Sequence, residues 1–401
     1  MLTPLEAERR ILENITAFPR EDCPLATAHG RVLLTALTAD RDLPPFDRVT
    51  MDGYALRSAA VAAGVRTFRV EALQAAGMLP FKLGEAADSC IEVATGAVLP
   101  EDADCVVPYE DTTREGNRTT LAPEVSISAF QSVHRRGSDH PAGDTIVPAG
   151  TRLTSREIAV AAAVGAANVT VAHSPKIAVI ATGDELVEVG SVVSPFQIRR
   201  SNDYAMRAAL HAAGYTRVDR FHLRDIRHEI EHLLWHIVAE YEAILITGGV
   251  SKGKFDYLPA VLDTLKVRKI FQGVAQRPGK PFWFGLTPRH TPVFALPGNP
   301  VSACTCLHRY VLPALDHASG LTPRPLRTVA LAEPFAFKAP LACFLPVTLS
   351  SGPRGELLAT PHASNTSGDF AGLIGTDGFV ELPPGPAEFP SGTLAPFRPW
   401  L

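Results

Sequence analysis

The sequence predicts an α/β multidomain protein, with a doubly wound α/β domain, a β-rich inserted module and a C-terminal β-barrel. Three apolar runs carry the α/β prediction, each ending in a glycine turn. Lys176-Ile177-Ala178-Val179-Ile180-Ala181 runs into Thr182-Gly183-Asp184-Glu185, and Ile244-Leu245-Ile246 runs into Thr247-Gly248-Gly249-Val250-Ser251-Lys252-Gly253-Lys254. Pro292-Val293-Phe294-Ala295-Leu296 runs into Pro297-Gly298-Asn299-Pro300-Val301-Ser302. Amphipathic segments lie between and after these runs, and buried strands alternating with helices imply a parallel, doubly wound sheet. Such sheets bind ligands beyond the carboxyl ends of their strands, where helix N-termini favour anions. All three glycine turns belong on that edge, so an oxyanion ligand is expected.

The elements follow in chain order. Thr3-Pro4-Leu5-Glu6 predicts a helix start, with Thr3 as N-cap, Pro4 in the first turn and Glu6 closing a capping box. Ala7, Ile11, Leu12 and Ile15 form its inward face. The adjacent prolines Pro44 and Pro45 forbid helix and suggest a hinge. Short β-type runs follow, at Phe68-Arg69-Val70, Ile91-Glu92-Val93 and Cys105-Val106-Val107. A helix is expected from Ser155. Another is capped by Ser201, with Ala205, Met206, Ala209, Leu210 and Ala213 as its stripe and Gly214 as its stop. Ile226, Ile230, Leu233, Leu234 and Ile237 mark the next helix, Leu258, Val261, Leu262 and Leu265 a further one, and residues 303 to 315 the last. Beyond Pro325, runs such as Thr328-Val329-Ala330-Leu331 and Gly378-Phe379-Val380-Glu381-Leu382 alternate with proline-rich turns, which suits a small barrel. The expected domains are 1–170, with the inserted module at about 46–137, then 171–319 and 322–401.

Composition narrows the function. A chain of 401 residues exceeds one ordinary core, and 46% hydrophobic with 20% charged residues is typical of soluble globular proteins. A net charge of -4 argues against nucleic-acid and polybasic membrane roles. Residues 158 to 167, the longest nearly apolar run, fall well short of the roughly 20 needed to span a bilayer. The start does not read as a signal peptide. Six scattered cysteines without a C-x-x-C pair fit reduced thiols, and a cytoplasmic location is expected.

Gly248, Gly253 and Lys254 nearly spell a P-loop. Phe255 then stands where a magnesium-binding hydroxyl is required, and no G-x-G-x-x-G follows a strand, so P-loop and dinucleotide chemistry are both disfavoured. Asp52, Asp139, Asp184, Glu185, Asp225 and Asp256 recur at expected turns. Each alone reads as a cap or a solvated turn residue, but several at strand ends suit a hard cation. Lys252, Lys254, Arg277 and Lys280 read either as a solvated rim or as a clamp on phosphate.

The ordered motifs Met51-Asp52-Gly53-Tyr54-Ala55, Ala94-Thr95-Gly96-Ala97, Thr182-Gly183-Asp184-Glu185-Leu186, Gly248-Gly249-Val250-Ser251, Phe255-Asp256-Tyr257, Pro278-Gly279-Lys280-Pro281 and Leu296-Pro297-Gly298-Asn299-Pro300 identify a resemblance. Together they resemble the molybdopterin molybdenumtransferase family over nearly the whole chain. The resemblance implies a homodimer with a linker, an inserted module, a molybdopterin-binding α/β domain and a C-terminal barrel. It also implies a reaction in which adenylylated molybdopterin and molybdate give molybdenum-molybdopterin and AMP with Mg2+, downstream of a molybdopterin adenylyltransferase.

By the same resemblance Asp52, Asp139, Glu185, Asp225 and Asp256 are the catalytic acids; Glu185 and Asp256, both at strand ends on the binding edge, are expected to hold the metal. The substrate-binding set is Thr95, Gly183, Asp184, Ser201, Asn202, Gly248, Gly249, Ser251, Gly253, Arg277, Lys280, Pro297, Gly298, Asn299, Pro300 and Ser367. Asp52 and Thr95 are expected to face the α/β domain of the other subunit. His134, Arg200, Lys252, Lys254 and Arg277 depart from the family's usual residues. A non-catalytic molybdopterin carrier or scaffold is the alternative, disfavoured because a binder of an anionic pterin gains nothing from five carboxylates.

Overall fold

The computed structural model describes residues 1–249, 257–362 and 366–400. The chain forms two compact units: one of Met1–Thr35, Gly150–Ser155 and Asn168–Leu401, the other of Ala36–Ala149 and Arg156–Ala167.

The second unit is built on a six-stranded sheet. Its strands, in spatial order, are Cys105–Pro108, Gly53–Leu56, Ser89–Val93, Thr67–Gln74, Arg118–Leu121 and Thr112–Glu115. Side chains alternate across the sheet, so Tyr54, Leu56, Phe68, Cys90 and Val107 pack one apolar cluster and Ala55, Ile91, Val93 and Val106 another. All three β-type runs read from the sequence are strands of this sheet.

In the first unit, α1 (Pro4–Leu12) starts as expected: the Thr3 side chain accepts from the Glu6 N–H and the Glu6 carboxylate accepts from the Thr3 N–H. The α/β core then runs β1 (Ile177–Thr182), α2 (Asn202–Ala212), β2 (Val218–Leu223), α3 (Arg227–Glu240), β3 (Ala243–Thr247), α4 (Leu258–Thr264), β4 (Arg268–Gln272), β5 (Trp283–Leu286), β6 (Pro292–Leu296), α5 (Pro300–Cys306) and α6 (Leu312–Ala318). Its sheet order is β2-β1-β3-β6-β5-β4. The first four strands are parallel, whereas β5 is antiparallel to both β6 and β4, which corrects the expectation of a wholly parallel sheet.

Both faces are covered, so β1, β3 and β6 are buried on every residue and apolar but for the closing Thr182 and Thr247. Val179, Leu245 and Phe294 face Met206 and Leu210 of α2 with Leu307 and Leu315, while Ile180, Ile246 and Ala295 face Ile230, Leu234 and Ile237 of α3 with Leu258 and Val261 of α4. The helix expected at 303–315 begins at Pro300 instead, and its middle, Leu307–Val311, is a π segment leading into α6. Proline favours the first helical turn, where its missing N–H costs nothing.

The C-terminal region holds β7 (Arg327–Leu331), β8 (Ala342–Ser351), β9 (Leu357–Pro361), β10 (Gly378–Leu382) and β11 (Leu394–Pro399). They pair in the ring β8-β9-β7-β11-β10-β8, a closed five-stranded barrel around Val329, Leu345, Val347, Val380 and Phe397. Closure leaves no free strand edge within the ring. No described helix is long and apolar enough to cross a membrane.

Candidate functional site

Strand order alone locates a crevice. The chain leaves β1 for β2 on one side and then crosses to β3 on the other, so the order reverses between β1 and β3. Ligands bind at such switch points, beyond the carboxyl ends of the strands. Each flanking strand ends in a threonine followed by glycine: Thr182-Gly183 after β1 and Thr247-Gly248-Gly249 after β3.

The turns meet closely. Gly248 and Gly249 have φ of +96° and +66°, and a Cβ on Gly248 would lie 2.7 Å from the Thr182 carbonyl oxygen and 2.8 Å from its Oγ1. Both the backbone conformation and the space therefore call for glycine. The third turn joins them, since the Gly248 N–H donates to the Leu296 carbonyl at 3.2 Å and Thr247 Oγ1 donates to the Pro297 carbonyl at 3.2 Å. Asn202, at the start of α2, clamps the arrangement by donating to Thr247 Oγ1 at 2.9 Å and to the Gly298 carbonyl at 2.7 Å. Ser201 precedes it at the cap position, but its side chain makes no cap hydrogen bond, contrary to expectation. Asn299 Nδ2 donates to Ser367 Oγ at 2.7 Å, which brings Ser367 from beyond β9 to the same edge. Pro300 opens α5 directly behind it.

Acidic residues collect beside β1. The Asp225 N–H, after β2, donates to Asp184 Oδ1 at 3.0 Å, and the exposed Glu185 carboxylate folds over Gly183, where a Cβ would meet its Oε2 at 2.5 Å. Among the described residues no three His, Cys, Asp or Glu side chains are placed to hold one metal ion. Asp256 and Ser251, Gly253, Lys252 and Lys254 lie outside the described residues.

Because β4 runs parallel to β6, the loop after it reaches this edge too. Gln276 anchors that loop: its Nε2 donates to the Pro278 carbonyl at 3.1 Å and its Oε1 accepts from the Tyr310 hydroxyl. Gly279, at φ +93°, leaves room for Cys306 Sγ, which would sit 2.5 Å from a Cβ there. Gln276 and Arg277 also pair with Ala342 and Cys343 of β8. The loop is thus braced from two sides, while the Arg277 and Lys280 side chains are exposed and form no ion pair among the described residues.

In the other unit, register explains the pairing of Asp52 with Thr95. Gly53 lies opposite Val93, so the residues just outside both strands are neighbours, and the Thr95 N–H donates to Asp52 Oδ1 at 2.6 Å. That backbone bond, with a second from the Thr95 side chain, holds the Asp52 carboxyl below its ordinary value. Asp139 accepts from His134 Nε2 at 2.8 Å, while His134 Nδ1 lies 3.1 Å from the Arg48 guanidinium. Arginine has no acceptor, so Nδ1 accepts and the ring carries its proton on Nε2. His134 thereby passes an arginine contact on to Asp139.

Arg200, a further departure, is only 9% exposed and pairs with Asp203 at 3.0 Å and Glu188 at 3.1 Å. It has a packing role at the foot of α2. Sequence reasoning missed Thr182, whose Oγ1 is buried without a hydrogen-bond partner among the described residues, at the meeting point of the turns. The only signal was a threonine closing an otherwise aliphatic strand.

Three families match in sequence. Residues 2–165 match the MoeA N-terminal region (domain I and II), 178–317 a probable molybdopterin binding domain and 328–400 the MoeA C-terminal region (domain IV). A molybdopterin molybdenumtransferase from Synechocystis is 39% identical over 378 residues, covering 93% of each chain. The chain belongs to the molybdopterin molybdenumtransferase family. A molybdopterin molybdenumtransferase from Staphylococcus epidermidis is 29% identical over 398 residues, covering 97% of this chain and 93% of its own. Among solved structures, a molybdopterin biosynthesis MoeA protein from Pyrococcus horikoshii superposes with a TM-score of 0.79 at 29% identity, covering 100% of this chain and 99% of the other.

Proposed function

We propose that the chain transfers molybdenum from molybdate to adenylylated molybdopterin with release of AMP. The observation that carries this reading is the meeting of the three glycine turns near Thr182, whose hydroxyl is buried without a partner among the described residues, on the same sheet edge as the braced loop presenting Lys280. Glycine lets a phosphate bridge approach the main chain closely, and the exposed lysine and arginine offset its charge. Glu185, with Asp256, is proposed to hold Mg2+, whose role when bound is to neutralise charge on the phosphoanhydride. Carboxylate oxygens are the donor chemistry that ion prefers.

The proposal includes domain boundaries at 1–170, 171–319 and 322–401, with the inserted module at about 46–137. It also includes a cytoplasmic homodimer supplied by a molybdopterin adenylyltransferase, with Asp52 and Thr95 serving the partner's site. Incubating the pure protein with adenylylated molybdopterin, Mg2+ and molybdate is expected to release AMP and retain molybdenum in equal amounts. Tight binding of the pterin with no AMP release would instead make the chain a carrier.

A further inference from the structure

The outer face of α3 bears His228, His232 and His236 at successive four-residue steps, and all three are exposed. None takes part in a hydrogen bond or ion pair among the described residues. The neighbouring carboxylates are occupied, since Glu229 pairs with Arg224 and Glu231 accepts from Arg227 Nε at 2.8 Å. The imidazoles are therefore the unspent donors on this face. The rings of His232 and His236 already touch, with centroids 4.9 Å apart and planes at 89°, and Trp235 packs edge-on against His236 at 5.0 Å.

We propose that His232 and His236 form a two-histidine clamp for a first-row divalent transition ion, with copper(II) bound most tightly. Side chains four residues apart on a helix stand about 5 to 6 Å apart at Cβ, and two nitrogens at about 2.0 Å can then reach one ion. Imidazole is a borderline donor whose affinities rise toward copper(II). Rotation of exposed rings is fast, so closing the clamp requires no backbone change.

The spacing His228-Glu229-x-x-His232 also matches the H-E-x-x-H pattern of zinc peptidases. That chemistry is not available here, because Glu229 is committed to Arg224 and no three His, Cys, Asp or Glu side chains are placed to hold one ion among the described residues. The clamp is bidentate, completed by water, and exchanges its ion readily.

Trp235 supplies the readout, because a bound copper(II) ion quenches an indole in contact with its ligand. Titrating the full chain with copper(II) alone, in a buffer without chelating groups, should quench fluorescence with about one equivalent and recover it with excess chelator. His232→Ala and His236→Ala should each weaken binding at least tenfold, while His228→Ala should stay within threefold. Trp235→Phe should lose the quenching yet keep the paramagnetic spectrum of copper bound by two nitrogens. Unchanged binding in the His232→Ala, His236→Ala double variant would overturn the site, as would a tenfold loss in His228→Ala.

Discussion

Asn202 ties the first helix of the α/β core to the end of the third strand: its amide donates to Thr247 Oγ1 at 2.9 Å and to the Gly298 carbonyl at 2.7 Å. One side chain thereby fixes the spacing of two glycine turns. Asn202→Ala removes both donors and should cost about 1 to 3 kcal/mol, the range for unpaired buried groups. Urea unfolding would measure that loss. Turnover should fall further than stability, because the turns lose their mutual alignment.

Thr182 tests whether the crevice is built for a ligand. Its hydroxyl is buried without a partner among the described residues, so Thr182→Val should leave stability unchanged or raise it by about 1 kcal/mol. Calorimetric titration with molybdopterin should then show weaker binding, with Thr182→Ser restoring it. Equal affinity in the valine variant would leave the hydroxyl without a role in binding.

Much of this edge was legible in the sequence, and two of the three strands it missed, β2 and β4, share a cause. β1, β3 and β6 are interior strands covered on both faces, so each appears as an aliphatic run. β2 and β4 are the two edges of the sheet, and their sequences, Val-Asp-Arg-Phe-His-Leu and Arg-Lys-Ile-Phe-Gln, are too polar to stand out. The expected cap at Ser201 failed for a different reason. The bonds there are made by its neighbour Asn202, whose side chain reaches Thr247 and Gly298 rather than back to its own helix. Glycine turns announced the site, whereas Thr182 looked like any strand residue until the turns closed over it.

Lys280 stands on a loop that Gln276, Tyr310 and Cys306 hold in place, so little ordering remains to be done on binding. Lys280→Ala should weaken binding of adenylylated molybdopterin by roughly 1.5 to 3 kcal/mol, as for hydrogen bonds to charged groups, and the deficit should shrink at high salt. Its melting temperature should match that of the wild type, since the side chain is exposed.

Asp52 should titrate below the ordinary carboxyl value of 3.8, because the Thr95 N–H bonds its charged form. With the folded-state value depressed, its stabilising contribution is present above the ordinary value and is lost as pH falls through the folded one. Thr95→Ala keeps the backbone donor and removes the hydroxyl, so it should raise the Asp52 midpoint only part of the way. Carboxyl chemical shifts followed from about pH 2 to 6 would decide the matter.

The rung between Arg277 and Cys343 lets the barrel help hold the Lys280 loop without lending it a side chain. A chain cut after Ala318 would retain every glycine turn yet lose one of the two braces behind Lys280. Since the rung is made of main chain, it is blind to side-chain identity. The barrel's composition is therefore free to drift over generations while the lysine keeps its bearing, provided the ring stays shut.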